Sequence, residues 1–468
     1  MKTILKIAYY LGMLIASLLL ALNLSAQQKS KIGNWSGIIT TPSAELEMIF
    51  KITEENGSFI TKLDVPAQGG KDISAEIIES SADSLLIKIP AIFGTFSGKF
   101  MNDDSISGSW SQGGMAVPLN LKKIEKLPEI NRPQTPKPSF PYLPEEVEYI
   151  NENSGFKIAG TLTIPENTKK SPVVILISGS GAQDRDETIF EHKPFFVIAD
   201  YFARNGIATL RIDDRGVGGS EGNIREATSE DFAGDVLAGI NFLKTRKELD
   251  AKKIGLIGHS EGGLIAPIVA NTSKDVAFII MMAGPGIVGE QILYEQGKLL
   301  NKAAGLSDAQ VEQNTRLQKA IFDIILNEKD SAKQLDRLQR TYSGGMYPML
   351  PEERKRAIDA RINAVNTPWF KYFLTYDPYP VLAKVKCPVL SIIGEKDLQV
   401  PAEINQNAIK KALTEAENKN FRIETLENLN HLFQNCETGG MQEYAKIEET
   451  IDMDVLKMMK NWIIQILN

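Results

Sequence analysis

The chain has 468 residues, 43% of them hydrophobic and 24% charged, with a formal net charge of −7 and a pI near 5.4. That length exceeds what one hydrophobic core usually organises, so two domains are expected. The acidic balance, without clustered Lys and Arg, excludes a surface that tracks phosphates, and nucleic acid is set aside as a partner.

Lys2 and Lys6 accompany an apolar run from Ile7 to Leu22, and the small residues Ser25 and Ala26 precede polar Gln27. A basic start, an apolar stretch and small residues at its end are the parts of a secretory signal peptide. Residues 1–26 are therefore expected to be removed on export, leaving a periplasmic or secreted protein with no stable membrane span. An uncleaved anchor is the second reading, weakened because the run is barely long enough to cross a bilayer and Tyr9 and Tyr10 interrupt it. No cysteine lies near the cleavage point to carry a lipid. The two cysteines, Cys387 and Cys436, are too few for a disulfide framework and are read as free, buried thiols.

From Ile32 to Ile124 apolar residues alternate, as at Met48, Phe50 and Ile52 and again at Val117, Leu119 and Leu121, between Asn-Gly and Gly-Gly turn signals. This pattern predicts a small all-β domain over 32–124. The segment holds no histidine or cysteine and no convergent polar cluster, so a structural or docking role is expected of it. Its phrases Asn34-Trp35-Ser36-Gly37, Gly94-Thr95-Phe96-Ser97-Gly98 and Gly108-Ser109-Trp110 resemble a small β domain found ahead of hydrolases in exported bacterial proteins. Residues 125–144 follow, with prolines at 128, 133, 136, 138, 141 and 144. So dense a run blocks helix and ladder hydrogen bonds and predicts a stiff, extended linker.

From Glu145 to the end strands alternate with helices, the pattern of a mostly parallel sheet covered on both faces. Continuous apolar runs at Val173–Ser178, Ile207–Ile212, Ile254–Ile257, Ala277–Met282 and Val389–Ile393 mark its buried strands, and a helix is expected over Asp231–Leu249. Between about 287 and 368 the rhythm stops in a stretch rich in Glu, Lys, Gln and Leu, which predicts an inserted helical cap.

Gly258-His259-Ser260-Glu261-Gly262 matches G-x-S-x-G, in which small residues flank a nucleophilic serine on a cramped strand-to-helix turn. The pattern recurs at Gly218-Gly219-Ser220-Glu221-Gly222. Context separates the two. Ser260 follows an apolar strand and precedes the helical Leu264–Ala270, whereas Ser220 sits among loop residues. Three histidines are present. His259 adjoins the serine and should point away from it, and His192 reads as a surface or pocket-lining residue. His431, late in the chain, stands where the order Ser, acid, His places a general base. Glu395 and Asp397, after the strand Val389–Ile393, are both candidates to orient it. The oxyanion donors are expected to be the N–H of Glu261 and that of Ser180 or Gly181, in the turn Ser178–Gln183. Asp184, Arg185 and Asp186 should form ion pairs that fix this loop.

Together, Ser178 to Asp186, Asp214-Arg215-Gly216, Gly258 to Gly263, Pro368-Trp369-Phe370 and Gly394 to Pro401 resemble exported bacterial esterases related to the serine aminopeptidase branch of α/β-hydrolases. The resemblance covers most of 145–468. It implies an α/β-hydrolase fold and favours Asp397 over Glu395 as the acid, since Gly-x-x-Asp after the penultimate strand is similar to the acid loop of that fold. Ser178-Gly179 stands where many lipases carry His-Gly.

The expected activity is cleavage of a small-molecule acyl ester through an acyl-enzyme, with Ser260 as nucleophile, His431 as base and Asp397 as its partner, and with no metal or cofactor. A peptide substrate or acyl transfer would use the same triad. Trp369, Phe370 and Phe373 either line an acyl pocket under the cap or belong to its core. The rival from another class is an inactive protein that binds an envelope polymer through its β domain, and the complete set of Ser, His and Asp argues against it.

Overall fold

In the computed structural model, residues 31–40, 45–81, 83–128, 130–166 and 168–468 are described, so the expected signal peptide lies outside the described residues. The chain divides into two units, one ending at 129 and joined by 351–357, the other comprising 130–350 and 358–468.

The first unit is built from β1 (Gly33–Thr40), β2 (Glu45–Glu55), β3 (Ser58–Val65), β4 (Gly70–Ser80), β5 (Ser84–Ile89), β6 (Gly94–Asn102), β7 (Ser105–Gln112), β8 (Met115–Pro118) and β9 (Leu121–Ile124). Their order is β6-β5-β4-β3-β2-β1-β9-β7-β8, and β6 also pairs with β7, so the sheet closes on itself. Closure removes most unpaired strand edge. The alternating residues point inward as expected: Phe50, Ile52, Leu119 and Leu121 are at most 1% exposed. Val117, on short β8, is only half-buried. Gly94 is required by the core, because a Cβ there would lie 2.2 Å from the Trp110 ring.

The second unit contains β10 (Tyr142–Ile150), β11 (Lys157–Pro165), β12 (Ser171–Ile177), β13 (Ala208–Ile212), β14 (Leu249–His259), β15 (Val276–Met282), β16 (Val389–Gly394) and β17 (Phe421–Leu426). They form one sheet in the order β10-β11-β13-β12-β14-β15-β16-β17. The first three pair antiparallel and the rest parallel. Helices α1 (Pro194–Ala203), α2 (Ser229–Lys244), α3 (Glu261–Thr272), α4 (Gly289–Ala303), α5 (Asp308–Asn327), α6 (Ser331–Ser343), α7 (Glu352–Val365), α8 (Pro368–Thr375), α9 (Tyr379–Leu382), α10 (Ala402–Glu415), α11 (Met441–Tyr444) and α12 (Met453–Leu467) complete it. One apolar cluster joins the sheet to α2, α3 and α10 through residues such as Val236, Ile265 and Ile409. Another joins the opposite face to α1 and α12 through Phe202, Met459 and Trp462. Each such side chain, fully buried, contributes about 1.5–3 kcal/mol, so these two layers hold the sheet whose strand ends carry the site. This is the α/β-hydrolase arrangement.

Several boundaries differ from the sequence reading. Helix α2 begins at Ser229 because Thr228 and Asp231 form a reciprocal cap, and Leu249 belongs to β14, not to the helix. The proline-rich stretch, expected as a stiff, extended linker, is also fastened along its course. Arg132 donates to the carbonyls of Phe190, Ala445 and Ile447, and Gln134 bonds both the Ile451 carbonyl and the N–H groups of Thr450 and Ile451. Prolines leave this segment few backbone donors, so side chains fasten it to the α/β unit, and the sheet begins at Tyr142. The insertion also runs past Pro368. Proline is tolerated in the first turn of a helix, and Thr367 Oγ1 accepts the Phe370 N–H at 3.1 Å, so Pro368 opens α8. Cys387 and Cys436 are free as expected but only half-buried, since both lie in loops flanking the sheet. Among the described residues no helix is long and apolar enough to cross a membrane.

Candidate active site

Strand β14 ends at His259 and α3 begins at Glu261, leaving Ser260 alone on the turn at φ 53° and ψ −114°. A non-glycine residue in that region is strained and needs surrounding structure to hold it. The Ser260 N–H donates to the Met282 carbonyl on β15 at 2.8 Å, and its carbonyl accepts from Gly263. The glycines of the motif are dictated by crowding: a Cβ on Gly258 would lie 1.9 Å from the Gly262 carbonyl oxygen, and one on Gly262 would lie 2.1 Å from that of Ile177. The turn thus presents the serine at the N-terminus of α3, where unpaired N–H groups and the helix dipole favour negative charge.

His431 and Asp397 meet on the loops after β17 and β16. His431 Nδ1 lies 2.7 Å from Asp397 Oδ2, with His431 4% and Asp397 3% exposed. Asp397 Oδ1 accepts the N–H groups of Gln399 and Val400, both at 2.8 Å, which locks the carboxylate in place. Glu395 points elsewhere, accepting the Asn428 N–H at 3.1 Å from an exposed position. Asn430 shapes the histidine loop by accepting from the N–H groups of Leu432 and Gln434. The bond to Asp397 engages Nδ1 of His431.

The other candidates occupy structural positions. Ser220 Oγ donates to the Asp213 carbonyl at 2.8 Å and accepts the Ala159 N–H at 2.9 Å, so its hydroxyl is spent on main chain. His192, expected at a surface or pocket, is 1% exposed, with its ring between Thr450 Oγ1 and the Tyr444 carbonyl. Burial pushes its pKa down to about 4. Of the three charged loop residues, Arg185 pairs with Asp213 at 2.7 Å and Asp186 pairs with Arg211, while Asp184 caps Thr188. Asp186 also pairs with Lys193 within the same loop, at 3.3 Å, and Arg185 with Glu146 on β10, so the ion pairs fix the loop as expected and also tie it to the end of β13.

The turn after β12 passes close to the serine at Gly179, where a Cβ would lie 3.3 Å from Ser260 Cβ. The Gly179 N–H is taken by Glu187 Oε1 at 2.6 Å. Ser180 and Gly181 instead line a cavity of about 320 Å³, together with Ala182, Ile224, Arg225, Phe232, Thr367 and Trp369. Trp369 Nε1 donates to Glu261 Oε1 at 2.8 Å, and Ser229 Oγ donates to the same oxygen at 2.6 Å. Burial raises the Glu261 pKa against these two bonds. Asp214, which accepts from Ser178 Oγ and the Gln183 N–H, shares with Glu261 a void of about 20 Å³ beneath the turn. A larger cleft of about 770 Å³ has Asp397 in its wall but no residue of the elbow or the turn.

Of the three expected pocket aromatics, only Trp369 lines the cavity. Phe373 stacks behind it at 5.2 Å, and Phe370 turns into the core of the insertion against Phe322 at 5.6 Å. Successive positions on one helix face different ways, which a string of aromatics does not reveal. Glu187 and Ser229 were missed by the sequence reading, and Asp214 was noted only as part of the Asp214-Arg215-Gly216 motif, with no role assigned. Glu187 and Ser229 reach the site from a loop and a helix end with no local motif, so only the assembled fold marks them.

The sheet order with a serine elbow after its central strand defines the class: an α/β-hydrolase. Within that class the chain belongs to the X-Pro dipeptidyl-peptidase (S15) family, which it matches over residues 154–416. It is similar to the esterase EstD of Thermotoga maritima, 27% identical over 309 residues, covering 66% of this chain and 66% of that relative's length. Among solved structures, the Pyrococcus furiosus esterase Pf2001 matches at 15% identity over 69% of this chain and 93% of its own, with a TM-score of 0.40. Est1E from Butyrivibrio proteoclasticus matches at 18% identity over 69% and 98%, also at 0.40.

Proposed function

We propose that this protein is an exported serine hydrolase that cleaves carboxylic esters through an acyl-enzyme. The observation that carries this reading is the buried 2.7 Å bond between His431 and Asp397, with the main chain of His431 3.0 Å from Nε2 of His259, the residue before Ser260. In the reaction Ser260 Oγ attacks the acyl carbonyl while His431 Nε2 takes the hydroxyl proton. Asp397 holds the imidazole in the required tautomer and stabilises the imidazolium. The developing oxyanion is received by the N–H of Glu261, first in α3, and by that of Ser180 or Gly181. His431 then protonates the departing alcohol, and water activated by the same nitrogen releases the acid and restores Ser260.

The cavity beside the turn favours an ester over a peptide with a free N-terminus. Such a peptide calls for an anion facing its ammonium group, yet none of the residues lining this cavity is acidic and its one charged member is Arg225. Glu261, whose carboxylate is bonded to the cavity-lining Trp369, is already bonded to Ser229 as well. A short apolar acyl group fits the aromatic walls of Phe232 and Trp369.

The test uses the chain without residues 1–26, beside Ser260→Ala and Ser220→Ala, treated with a fluorophosphonate probe and assayed on short p-nitrophenyl esters and aminoacyl-prolyl amides. Labelling and ester turnover lost only in Ser260→Ala are expected. Loss only in Ser220→Ala, or an unlabelled parent, sinks the assignment, and amide turnover exceeding ester turnover moves the peptidase reading ahead.

A further inference from the structure

His259, the residue before the proposed nucleophile, faces an acceptor at each ring nitrogen. Nδ1 lies 2.9 Å from Glu187 Oε1 and Nε2 lies 3.0 Å from the main-chain oxygen of His431. A neutral imidazole carries one N–H, so one of these contacts would set a lone pair against an oxygen; an imidazolium satisfies both. We propose that His259 is an imidazolium ion-paired with Glu187, and that this buried pair is the positioning element that keeps Ser260, the turn after β12 and the base loop in mutual register. The inference deepens the proposed function and rests on it.

Glu187 is built for this at visible cost. Its backbone is left-handed at φ 52°, its side chain is buried, and Oε2 has no hydrogen-bond partner. A buried carboxylate with an idle oxygen is unfavourable unless a cation stands beside it, and the ion pair recorded for it is His259. The alternative, a proton on Glu187, fares worse, because on Oε2 it would find no acceptor and Oε1 already receives the Gly179 N–H. Burial of His259 opposes its charge, but Glu187, the His431 carbonyl and Asp397 outweigh it and raise its pKa.

The pair joins three chain segments. Glu187 Oε1 holds Gly179, whose α-carbon environment touches Ser260. His259 is covalently adjacent to Ser260, and its Nε2–H fixes the backbone of the base, with the His259 and His431 rings 4.8 Å apart and Phe433 edge-on at 6.3 Å. Residues at active sites in sparsely populated backbone regions, as Glu187 and Ser260 both are, persist when such contacts over-determine them.

The test is nuclear magnetic resonance of 15N-histidine-labelled protein near neutral pH. With three histidines in the chain, His259→Gln assigns the signals by omission. The expected result is one histidine with both ring nitrogens protonated, absent in His259→Gln and converted to a singly protonated ring in Glu187→Gln, which keeps the shape but not the charge. Both variants should lower kcat on short esters by roughly tenfold to a hundredfold, as small misplacements of reacting groups do, with KM nearly unchanged. A singly protonated His259 in the parent overturns the ion pair, and Glu187→Gln with a neutral His259 and undiminished kcat overturns the positioning role. Since the spectrum needs no substrate, a parent without ester turnover counts against the proposed function, not against the ion pair.

Discussion

Trp369 donates its indole N–H to Glu261, so the inserted helices are hydrogen-bonded to the residue that follows the proposed nucleophile and is proposed as an oxyanion donor. The bond explains why a glutamate can sit fully buried at the start of α3. It has two donors, Ser229 and Trp369, one from the body of the fold and one from the insertion. In the proposed mechanism the same bond fixes a wall of the cavity and steadies the proposed oxyanion donor.

Trp369→Phe keeps an aromatic wall but removes a donor from a buried carboxyl, which costs about 1–3 kcal/mol. We expect a lower melting temperature and a kcat/KM on short esters down by roughly tenfold. Trp369→Ala should add a rise in KM, because it also opens the cavity. Unchanged kinetics in both variants would show that substrate does not pass this wall.

The two carboxylates that the sequence left open are separated by their surroundings. Asp397→Asn preserves the shape but favours the wrong imidazole tautomer, and kcat should fall about 10³- to 10⁴-fold. Glu395→Gln, exposed and bonded only to the Asn428 N–H, should leave kcat within about twofold. A reversed order of the two effects in steady-state assays would displace Asp397 from the triad.

Much of this site was legible beforehand, and the reason is local. The elbow at Gly258–Gly262 is a short-range solution to crowding between one strand and one helix, so it leaves a mark within five residues, and His431 stood out because histidine is scarce. The parallel strands were readable because burial on both faces forces continuous apolar runs. What stayed hidden depends on contacts distant in sequence: Glu187 meeting His259 across 72 positions, Trp369 meeting Glu261 across 108. The end of the insertion was set too early, at about 368, for another reason. Proline ends a helix from within but starts one at its first turn, and the side-chain cap from Thr367 decides between them.

Asp214 supplies a pH test of the fold. Burial pushes its carboxyl from 3.8 up to about 7, against bonds from Ser178 and Gln183 that favour the charged form. The native state therefore holds this proton more tightly than the unfolded chain does. Its contribution to stability is lost as pH rises from 3.8 to about 7 and levels off above that. Asp214→Asn can accept from Gln183 and donate to Ser178 without a charge. Its melting temperature relative to the parent should climb across that window and then stay flat, a difference of a few kcal/mol at about 1.4 kcal/mol per pH unit. Parallel curves for the two proteins would mean that Asp214 titrates normally.

Arg132 tests whether the proline-rich segment is part of the hydrolase unit. The residue is 9% exposed, and its guanidinium donates to Phe190, Ala445 and Ile447, main-chain carbonyls from two distant loops. Burial lowers its pKa, yet the planar fork reaches all three oxygens at once, which lysine cannot do. Phe190 lies three residues beyond Glu187 on the same loop, with a left-handed φ of 50° that needs outside support. Arg132→Ala should destabilise the protein by about 2–4 kcal/mol, counting the buried carbonyls left without a partner. Arg132→Lys should recover less than half of that. Because the loop it anchors carries Glu187, kcat should fall several-fold at temperatures where the variant remains folded. If both variants melt with the parent in a denaturant titration, the segment is a spacer after all and the loop is held by its own ion pairs to Asp213 and Arg211.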